Sequence, residues 1–524
     1  MTNDQSSHDV IIIGGALAGA ATATLLLRER PDLRVVIVER SPSFGRRVGE
    51  ATVEVSAYFL MRVLGLTQYL NETQIAKNGM RFWFANDRTL ELPDCSELGG
   101  KYQVRLPSFQ VDRSTLDEEV LRRAVAAGAK LIRPATVRGV ELQAGGMQTV
   151  HLDGRTIQAR WVVDASGVAA VLARQEGWFT SNTEHPTASI WARWRGVKDW
   201  DGVELARKFP AWASAQFGIR GTATNHLTGD GWWAWFIPLK GGDVSVGVVY
   251  DQRLVKFPEG GALGDRLKTF LMQHPVGSEL LANAQWNEGD VLARKNLAYT
   301  SRTLAGDGFV LVGDAAGFLD PLYSPGMDWV SYTATRAARL VLTGPQLAPA
   351  YQHDFTTSYR RWFTALYRDK YEYLGDFDLM RRAFRLDLGL YYLGVVSQPF
   401  QRGATAFATP VFTARASVPF YRLMRLYNRR FAAIARARRR RGAWGRCNAN
   451  RRLLIGGFTF APASSWPVVR TLASWGWLEL TEGWRSWFER APQRRGVELA
   501  PVSAREGGRE EPELGKLPER YPTR

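Results

Sequence analysis

Cysteine is almost missing from this chain. Cys95 and Cys447 are the only thiols in 524 residues, too few for a disulfide framework or a cysteine-held metal. The six histidines are scattered without ligand spacing, so no metal site is expected. No apolar run reaches the ~20 residues of a membrane span. The opening MTNDQSSHDV has neither a basic start nor an apolar signal core, so the expected localisation is cytoplasmic, with peripheral membrane contact left open. No internal repeat appears.

What is present is aromatic and basic. Aromatics make up 12% of the chain, with 19 tryptophans. Three of them fall within GWWAWFIPLK, residues 231–240. On a strand, alternate side chains share a face, so Trp233, Trp235 and Ile237 point one way and Trp232 and Ala234 the other. Pro238 removes a donor and ends or edges that strand. The net charge of +17 is densest in RLMRLYNRRFAAIARARRRRGAWGR, residues 422–446. Three readings of that cluster stand: a solvated helix face, docking of an acidic partner protein, or an anionic membrane surface. No nucleic-acid module accompanies it, and nucleic acid is not expected.

Residues 9–13, DVIII, read as a buried parallel strand. A glycine-led helix follows, and then RVVIVER, a second strand ending at Glu39. In such a βαβ unit Gly14 and Gly15 permit the tight turn and Gly19 lets helix and strand approach. The helix N-terminus faces a pyrophosphate, and Glu39 holds ribose hydroxyls. Ala16 departs from the usual middle glycine and brings a methyl group near the phosphate path.

Three further segments narrow the choice of dinucleotide: QVDRSTLDEEVLRRAVAAGAKL (110–131), WVVDASGVAAVLAR (161–174) and GFVLVGDAAGFLDPLYSPGMDW (308–329). Together with the βαβ unit they resemble the FAD-dependent oxidoreductases of the aromatic-hydroxylase and halogenase superfamily, over roughly residues 8–345. The resemblance implies an α/β fold: a Rossmann-like FAD-binding domain of the aromatic-hydroxylase type, a β-sheet substrate domain and a helical C-terminal cap. The expected boundaries are 1–76 with 109–180 and 290–345 for the FAD domain, and 77–108 with 181–289 for the substrate-side sheet. The helical region is expected at 346–490, and a disordered tail at 491–524. Arg113, Asp314 and Gly317 are implied to hold the flavin half, with a helix start just after Asp314.

Within the superfamily, Trp233-Ala234-Trp235-Phe236-Ile237-Pro238 resembles the Trp-x-Trp-x-Ile-Pro signature of flavin-dependent halogenases. The resemblance implies that the two indoles keep the organic substrate from the flavin. Oxygen activated there passes to halide, and hypohalous acid travels to the substrate. Lys77, in a Lys-x-Gly-x-x-Phe setting, is similar to the catalytic lysine of phenol- and pyrrole-type halogenases. It either hydrogen-bonds hypohalous acid or is itself halogenated, and burial favours its neutral form. Gly49-Glu50-Ala51-Thr52 matches a turn near the flavin, where Glu50 sets the flavin environment or the halide route.

The loop Phe318–Gly326 matches the family's Phe-x-x-Pro-x-x-Ser-x-Gly at Phe318, Pro321, Ser324 and Gly326. Tyr323 stands where tryptophan-type halogenases carry Glu, which favours a phenol- or pyrrole-like substrate. Pro325 stands where the family often offers an amide to halide, and proline has none; Gly326 keeps its own. FAD, reduced by a separate flavin reductase in the absence of a second glycine-rich βαβ, and a halide ion are the implied cofactors. The small aromatic substrate is either free or tethered to an acidic carrier protein that residues 422–446 would attract. The competing readings are a flavin hydroxylase, an isoprenoid-type flavin reductase at a membrane surface, and a flavoprotein that has become a binding partner.

Overall fold

The computed structural model describes residues 7–216, 218–456 and 465–488. The tail expected at 491–524 lies outside them. The chain opens with β1 (Ser7–Ile13), α1 (Leu17–Glu29) and β2 (Val35–Val38). It then leaves for a second sheet through β3 (Met80–Phe84) and β4 (Ser96–Gly100). α2 (Arg113–Ala126), β5 (Lys130–Ile132) and β6 (Arg155–Asp164) bring it back. β7 (Thr187–Arg195), β8 (Thr224–Gly229), β9 (Trp232–Pro238) and β10 (Val244–Asp251) build out the second sheet. β11 (Phe309–Leu311) and α3 (Gly326–Thr343) return to the first.

In the first sheet β11, β6, β1, β2 and β5 lie side by side, all parallel. Such strands are covered on both faces, which is why VIII and VVIV are apolar throughout. α1 packs against both α2 and α3. The second sheet runs β7–β10–β9–β8–β3–β4 and ends on β12 (Arg452–Ile455), parallel to β4. β12 falls within the stretch expected to be helical. Its four residues are too short and too mixed to show strand periodicity, and it forms because β4 offers an open edge.

The remaining C-terminal elements are helices: α4 (Ala348–Trp362), α5 (Phe377–Tyr391), α6 (Val418–Arg440) and α7 (Trp466–Thr481). α4 and α5 each run on into a π-helical turn, Phe363–Tyr367 and Tyr392–Val396. One core joins the parallel sheet, the helical cap and the inner face of the second sheet, while another fills the outer face. β9 divides between them as its alternation requires. Trp233, Trp235 and Ile237 enter the first core, and Ala234 and Phe236 enter the second.

Candidate active site

The glycine turn sits at the carboxyl end of β1. Gly14 has φ +98°, and a Cβ there would stand 2.5 Å from the carbonyl oxygen of Ala165. A Cβ on Gly19 would fall 1.9 Å from the carbonyl oxygen of Gly14. Both positions therefore exclude a side chain. Ala16 caps α1 with φ −69°, so its methyl group is tolerated where the usual glycine is absent. Glu39 ends β2 and accepts the amides of Gly15 at 2.8 Å and Ser41 at 2.9 Å. A tight turn, unpaired first-turn amides of a long helix and a carboxylate at the end of the second strand form the donor set that a dinucleotide uses. The residues present fit that group.

Arg113 starts α2 and grips Asp117 at 3.0 Å. Asp314 lies in a single 3₁₀ turn, Gly313–Ala315, and its carboxyl is held above the usual range by burial, opposed by Arg113 and Arg294. The helix expected directly after it does not form. Gly317 joins a short strand beside Tyr299–Ser301, and α3 begins only at Gly326. The two proline positions, Pro321 and Pro325, and the turn between them delay it. A Cβ on Gly326 would meet nothing within 4 Å, which leaves open space at the start of α3. Pro325 is the N-cap of α3 and contributes no amide.

A cavity of about 680 Å³ opens beside this loop, between the second sheet and the cap. Both π-helical turns line it; such turns recur at functional sites. Lys77 faces it while only 2% exposed. Its ammonium donates to the carbonyl oxygen of Thr52 at 2.9 Å. Burial lowers its pKa to about 8, with Glu54 and Asp328 acting against that fall. Both of those carboxylates also line the cavity.

Asp328, in the first turn of α3, is fully buried and has no cationic hydrogen-bond partner. It accepts the Ser56 amide at 2.9 Å and the Tyr391 hydroxyl at 3.0 Å. Burial raises its pKa to about 7, against those two hydrogen bonds. The sequence reading passed over Asp328. The signal was a carboxylate between Met327 and Trp329 at the head of an apolar helix, immediately after a recognised loop.

Tyr323 and Ser324 take φ +68° and +56°, a conformation that costs non-glycine residues of order 1 kcal/mol or more each and clusters at functional sites. The Tyr323 ring lines the cavity, and its hydroxyl donates to Asp387 of α5 at 3.2 Å. Lys370 and Tyr427 reach the same carboxylate, each at 2.6 Å. Three cap tyrosines pin the loop. Tyr359 donates to the Phe318 carbonyl, Tyr367 to the Leu322 carbonyl and Tyr371 to the Asp320 carboxylate.

The indoles stand behind the cavity rather than on its wall. Neither Trp233 nor Trp235 lines the cavity. A run of ring contacts connects them to it: Trp233 to His226 at 5.5 Å, His226 stacked on Phe82 at 4.6 Å, and Phe82 against the cavity-lining Phe384 at 5.1 Å. Each indole is fixed by its N–H. Trp233 donates to the Tyr371 hydroxyl at 2.9 Å and Trp235 to the Ser245 hydroxyl at 3.0 Å. The Trp235 ring lies over Gly247, where a Cβ would be 2.3 Å from it. Pro238 ends β9 opposite Val244, next to Ile237.

Glu50 is buried beside Arg193, a residue the sequence reading missed. Arg193 Nε donates to Glu50 at 3.1 Å and Nη1 to Asp112 at 2.7 Å. Burial pushes Glu50 up to about 7, against the Arg193 charge and a Ser245 hydrogen bond. Glu50 does not line the cavity.

Much of the arginine-rich stretch turns inward. Arg438 is fully buried among Asp376, Asp378 and Glu482, and Arg430 pairs with Glu479 at 2.8 Å. Arg436 and Arg439 reach Glu372, and Arg441 reaches Glu482. Among the described residues no helix is long and apolar enough to cross a membrane, and no cluster of metal-binding side chains occurs.

A family model described as lycopene cyclase protein matches residues 9–182. The flavin-dependent halogenase chlA of Dictyostelium discoideum is 28% identical over 367 residues, 62% of this chain and 58% of that protein. The tryptophan 2-halogenase of Chondromyces crocatus is 27% identical, over 68% of this chain and 66% of its own length. The chain thus spans a little under two thirds of the curated relatives it matches. Among solved structures, the halogenase PltM in complex with phloroglucinol and FAD superposes with a TM-score of 0.71 at 19% identity, covering 89% of this chain and 96% of PltM. The flavin-dependent brominase Bmp2 gives 0.60 at 20% identity, over 80% of this chain and 100% of Bmp2. The curated relatives of this chain are flavin-dependent halogenases, and it shares their mixed α/β fold.

Proposed function

We propose that this protein is an FAD-dependent halogenase acting on an electron-rich aromatic or heteroaromatic, phenol- or pyrrole-like. The observation that carries this reading is Lys77, buried yet turned into a cavity of about 680 Å³ beside two carboxylates. A relative of the same fold solved with a trihydroxybenzene supports the substrate class.

Gly14, Gly15, Ala16, Gly19 and Glu39 hold the ADP half of FAD; Arg113, Asp314, Gly317 and Gly326 hold the flavin half, with Glu50 and Arg193 behind. FAD, when bound and reduced by a separate reductase, supplies the reduction of O2 that leaves one oxygen on halide as hypohalous acid. The ammonium of Lys77 donates a hydrogen bond to that acid. The ring carbon takes the halogen, the halogen–oxygen bond breaks, and the departing hydroxide leaves as water with the Lys77 proton. Asp328 accepts the proton released by the substrate and returns it to Lys77, which balances the cycle. Of the cavity-lining carboxylates, Asp387 is committed to Lys370, Tyr323 and Tyr427 and Glu54 accepts the Tyr392 hydroxyl, so the proton is assigned to Asp328, which accepts only a backbone amide and a tyrosine hydroxyl. Trp233, Trp235, Ile237 and Pro238, with His226 and Phe82 in front, form a rigid aromatic layer that keeps the substrate from the flavin. Ser324 shapes the turn that places Gly326 toward halide.

The test supplies reduced flavin, oxygen and chloride, bromide or iodide in turn, with a panel of phenols, pyrroles and indoles free or tethered to an acidic carrier protein. Mass spectrometry reads halogen isotope patterns. Halogenated product that disappears in Lys77→Ala supports the proposal. The missing amide at Pro325 favours a second reading, a hydroxylase; products carrying a new oxygen and no halogen would establish it instead. A tethered substrate turned over at low salt and not at high salt would add the carrier protein.

A further inference from the structure

The outward side of the C-terminal helices carries a surface that the active site does not use. α7 is about 24 Å long at 1.5 Å per residue. Its inward side buries Val468, Thr471 and Leu478 against the cap. Its outward side presents Trp466, Val469, Trp477 and Leu480, and Trp484, Trp487 and Phe488 follow. Within α7, steps of three and eight residues keep Trp466, Val469, Trp477 and Leu480 on one side; Trp484, Trp487 and Phe488 lie in and after the 3₁₀ turn Gly483–Ser486. The exposure is large: Trp477 is 68% and Leu480 66% accessible, and Phe488 is 96%. A contiguous apolar strip of this kind marks an interaction surface.

Charge on this surface has a single sign. Arg470 and Arg485 flank the strip, and the adjoining face of α6 exposes Arg422, Arg425 and Arg429 beside Leu426. α6 contains no acidic residue. Among residues 466–488 the acidic side chains are Glu479 and Glu482; Glu482 faces inward to Arg438 and Arg441, and Glu479 is neutralised by Arg430. The two helices form one surface, since Leu426 and Arg430 of α6 and Trp475 and Glu479 of α7 line a common shallow groove. Phe420 and Met424 line the active-site cavity from the opposite side of α6, so the arginine face is turned away from the cavity.

We infer that the outward face of α6 and α7 docks on an anionic lipid bilayer, lying in the headgroup layer. Indoles combine an apolar body with a polar N–H, and arginine carries its charge on an apolar stem; both suit the boundary between headgroup and acyl chain. Five arginines and no unpaired acid complement anionic headgroups. A second copy of this chain fits poorly, because a two-fold interface would set these arginines against themselves. The inference concerns the surface and holds whichever reaction the cavity performs.

The test uses the full chain with vesicles of phosphatidylcholine alone and of phosphatidylcholine with an equal part of phosphatidylglycerol. Flotation with the anionic vesicles only, weakened at least tenfold by high salt and accompanied by quenching of tryptophan emission by brominated lipid, is the expected result. The double variant Trp477→Ser/Leu480→Ser should lose at least tenfold in vesicle binding while its thermal unfolding is unchanged. The triple variant Arg422→Ser/Arg425→Ser/Arg429→Ser should lose the preference for anionic vesicles. Failure to float with anionic vesicles overturns the proposal, as does binding that the double variant retains. A dimer that the double variant converts to monomer, or an acidic protein partner captured in place of vesicles, overturns it too.

Discussion

The ammonium of Lys77 donates a 2.9 Å hydrogen bond to the carbonyl oxygen of Thr52. Thr52 belongs to the segment that follows Glu50, and Lys77 to the turn that enters β3. The bond thus ties the nucleotide-binding half to the cavity wall and points a buried cation at the space where a substrate would sit.

That placement predicts an unusual pH dependence of stability. In the folded chain Lys77 loses its proton near 8, whereas in the unfolded chain it keeps it until above 10. Between those values the unfolded state binds more protons, so the Lys77 contribution to stability rises with pH, by roughly 1.4 kcal/mol per pH unit. Cys95, pushed up to about 12 by burial, works in the opposite direction above pH 9. The comparison is therefore wild type against Lys77→Met. The variant should be more stable at pH 7, and the gap should close by about pH 10, read by chemical denaturation at each pH.

Asp328→Asn should lower the rate of halogenation by about 10²-fold, the lower end of what a positioned general base supplies. In the wild type the rate should rise with pH through about 7, as the Asp328 carboxylate forms. That limb should vanish in Asp328→Asn. It should persist in Glu50→Gln, because Glu50 titrates in the same range but lies outside the cavity. Turnover of a trihydroxybenzene at saturating reduced flavin, measured from pH 5.5 to 8, reads all three.

Ser245→Ala should cost about 2–4 kcal/mol. The Ser245 hydroxyl accepts the indole N–H groups of both Trp191 and Trp235, at 2.5 and 3.0 Å. Removing it leaves two buried donors unpaired, at about 1–3 kcal/mol each, with partial relaxation. A lower midpoint in urea with an unchanged slope is the expected measurement.

Arg438→Met should destabilise the cap by at least 3–5 kcal/mol, because three carboxylates lose their shared buried cation. Asp378 and Glu482, both held below the usual carboxylate range, would keep Arg382 and Arg441 but lose a buried cation, so their carboxyls would rise toward protonation. The loss should therefore be larger at pH 8 than at pH 5. Arg438→Lys should not restore stability, since a single ammonium cannot span Asp376, Asp378 and Glu482. Thermal unfolding of both variants checks this.

The sequence disclosed what depends on local order. The turn at Gly14, the carboxylate closing β2 and the two-face division of β9 each follow from neighbouring residues. Lys77 and the loop at Ser324 stand out in the sequence because their spacing matches a known pattern, and Lys77 and Tyr323 meet at the cavity. Asp328 and Arg193 were not found, since their partners, Tyr391 and Glu50, lie 63 and 143 residues away in the chain. The arginine-rich stretch divides for the same reason: Arg422, Arg425 and Arg429 are exposed, whereas Arg438 is buried among carboxylates. Nothing near Arg438 in sequence says that Asp376 and Glu482 will surround it. The position of the indoles relative to the cavity was hidden because Phe82 and His226, which stand in front of them, come from two other strands.

The last strand of the second sheet carries a consequence for how the polypeptide is completed. Arg452–Ile455 follows α4, α5 and α6 in the chain, pairs with Ser96–Gly100 and adds Ile455 to the cavity wall. A nascent chain that has emerged only as far as residue 450 holds an unpaired hydrogen-bonding edge at Ser96–Gly100, open to any extended segment nearby. Pairing of Arg452–Ile455 with that edge is therefore the step that converts an adhesive intermediate into a closed sheet.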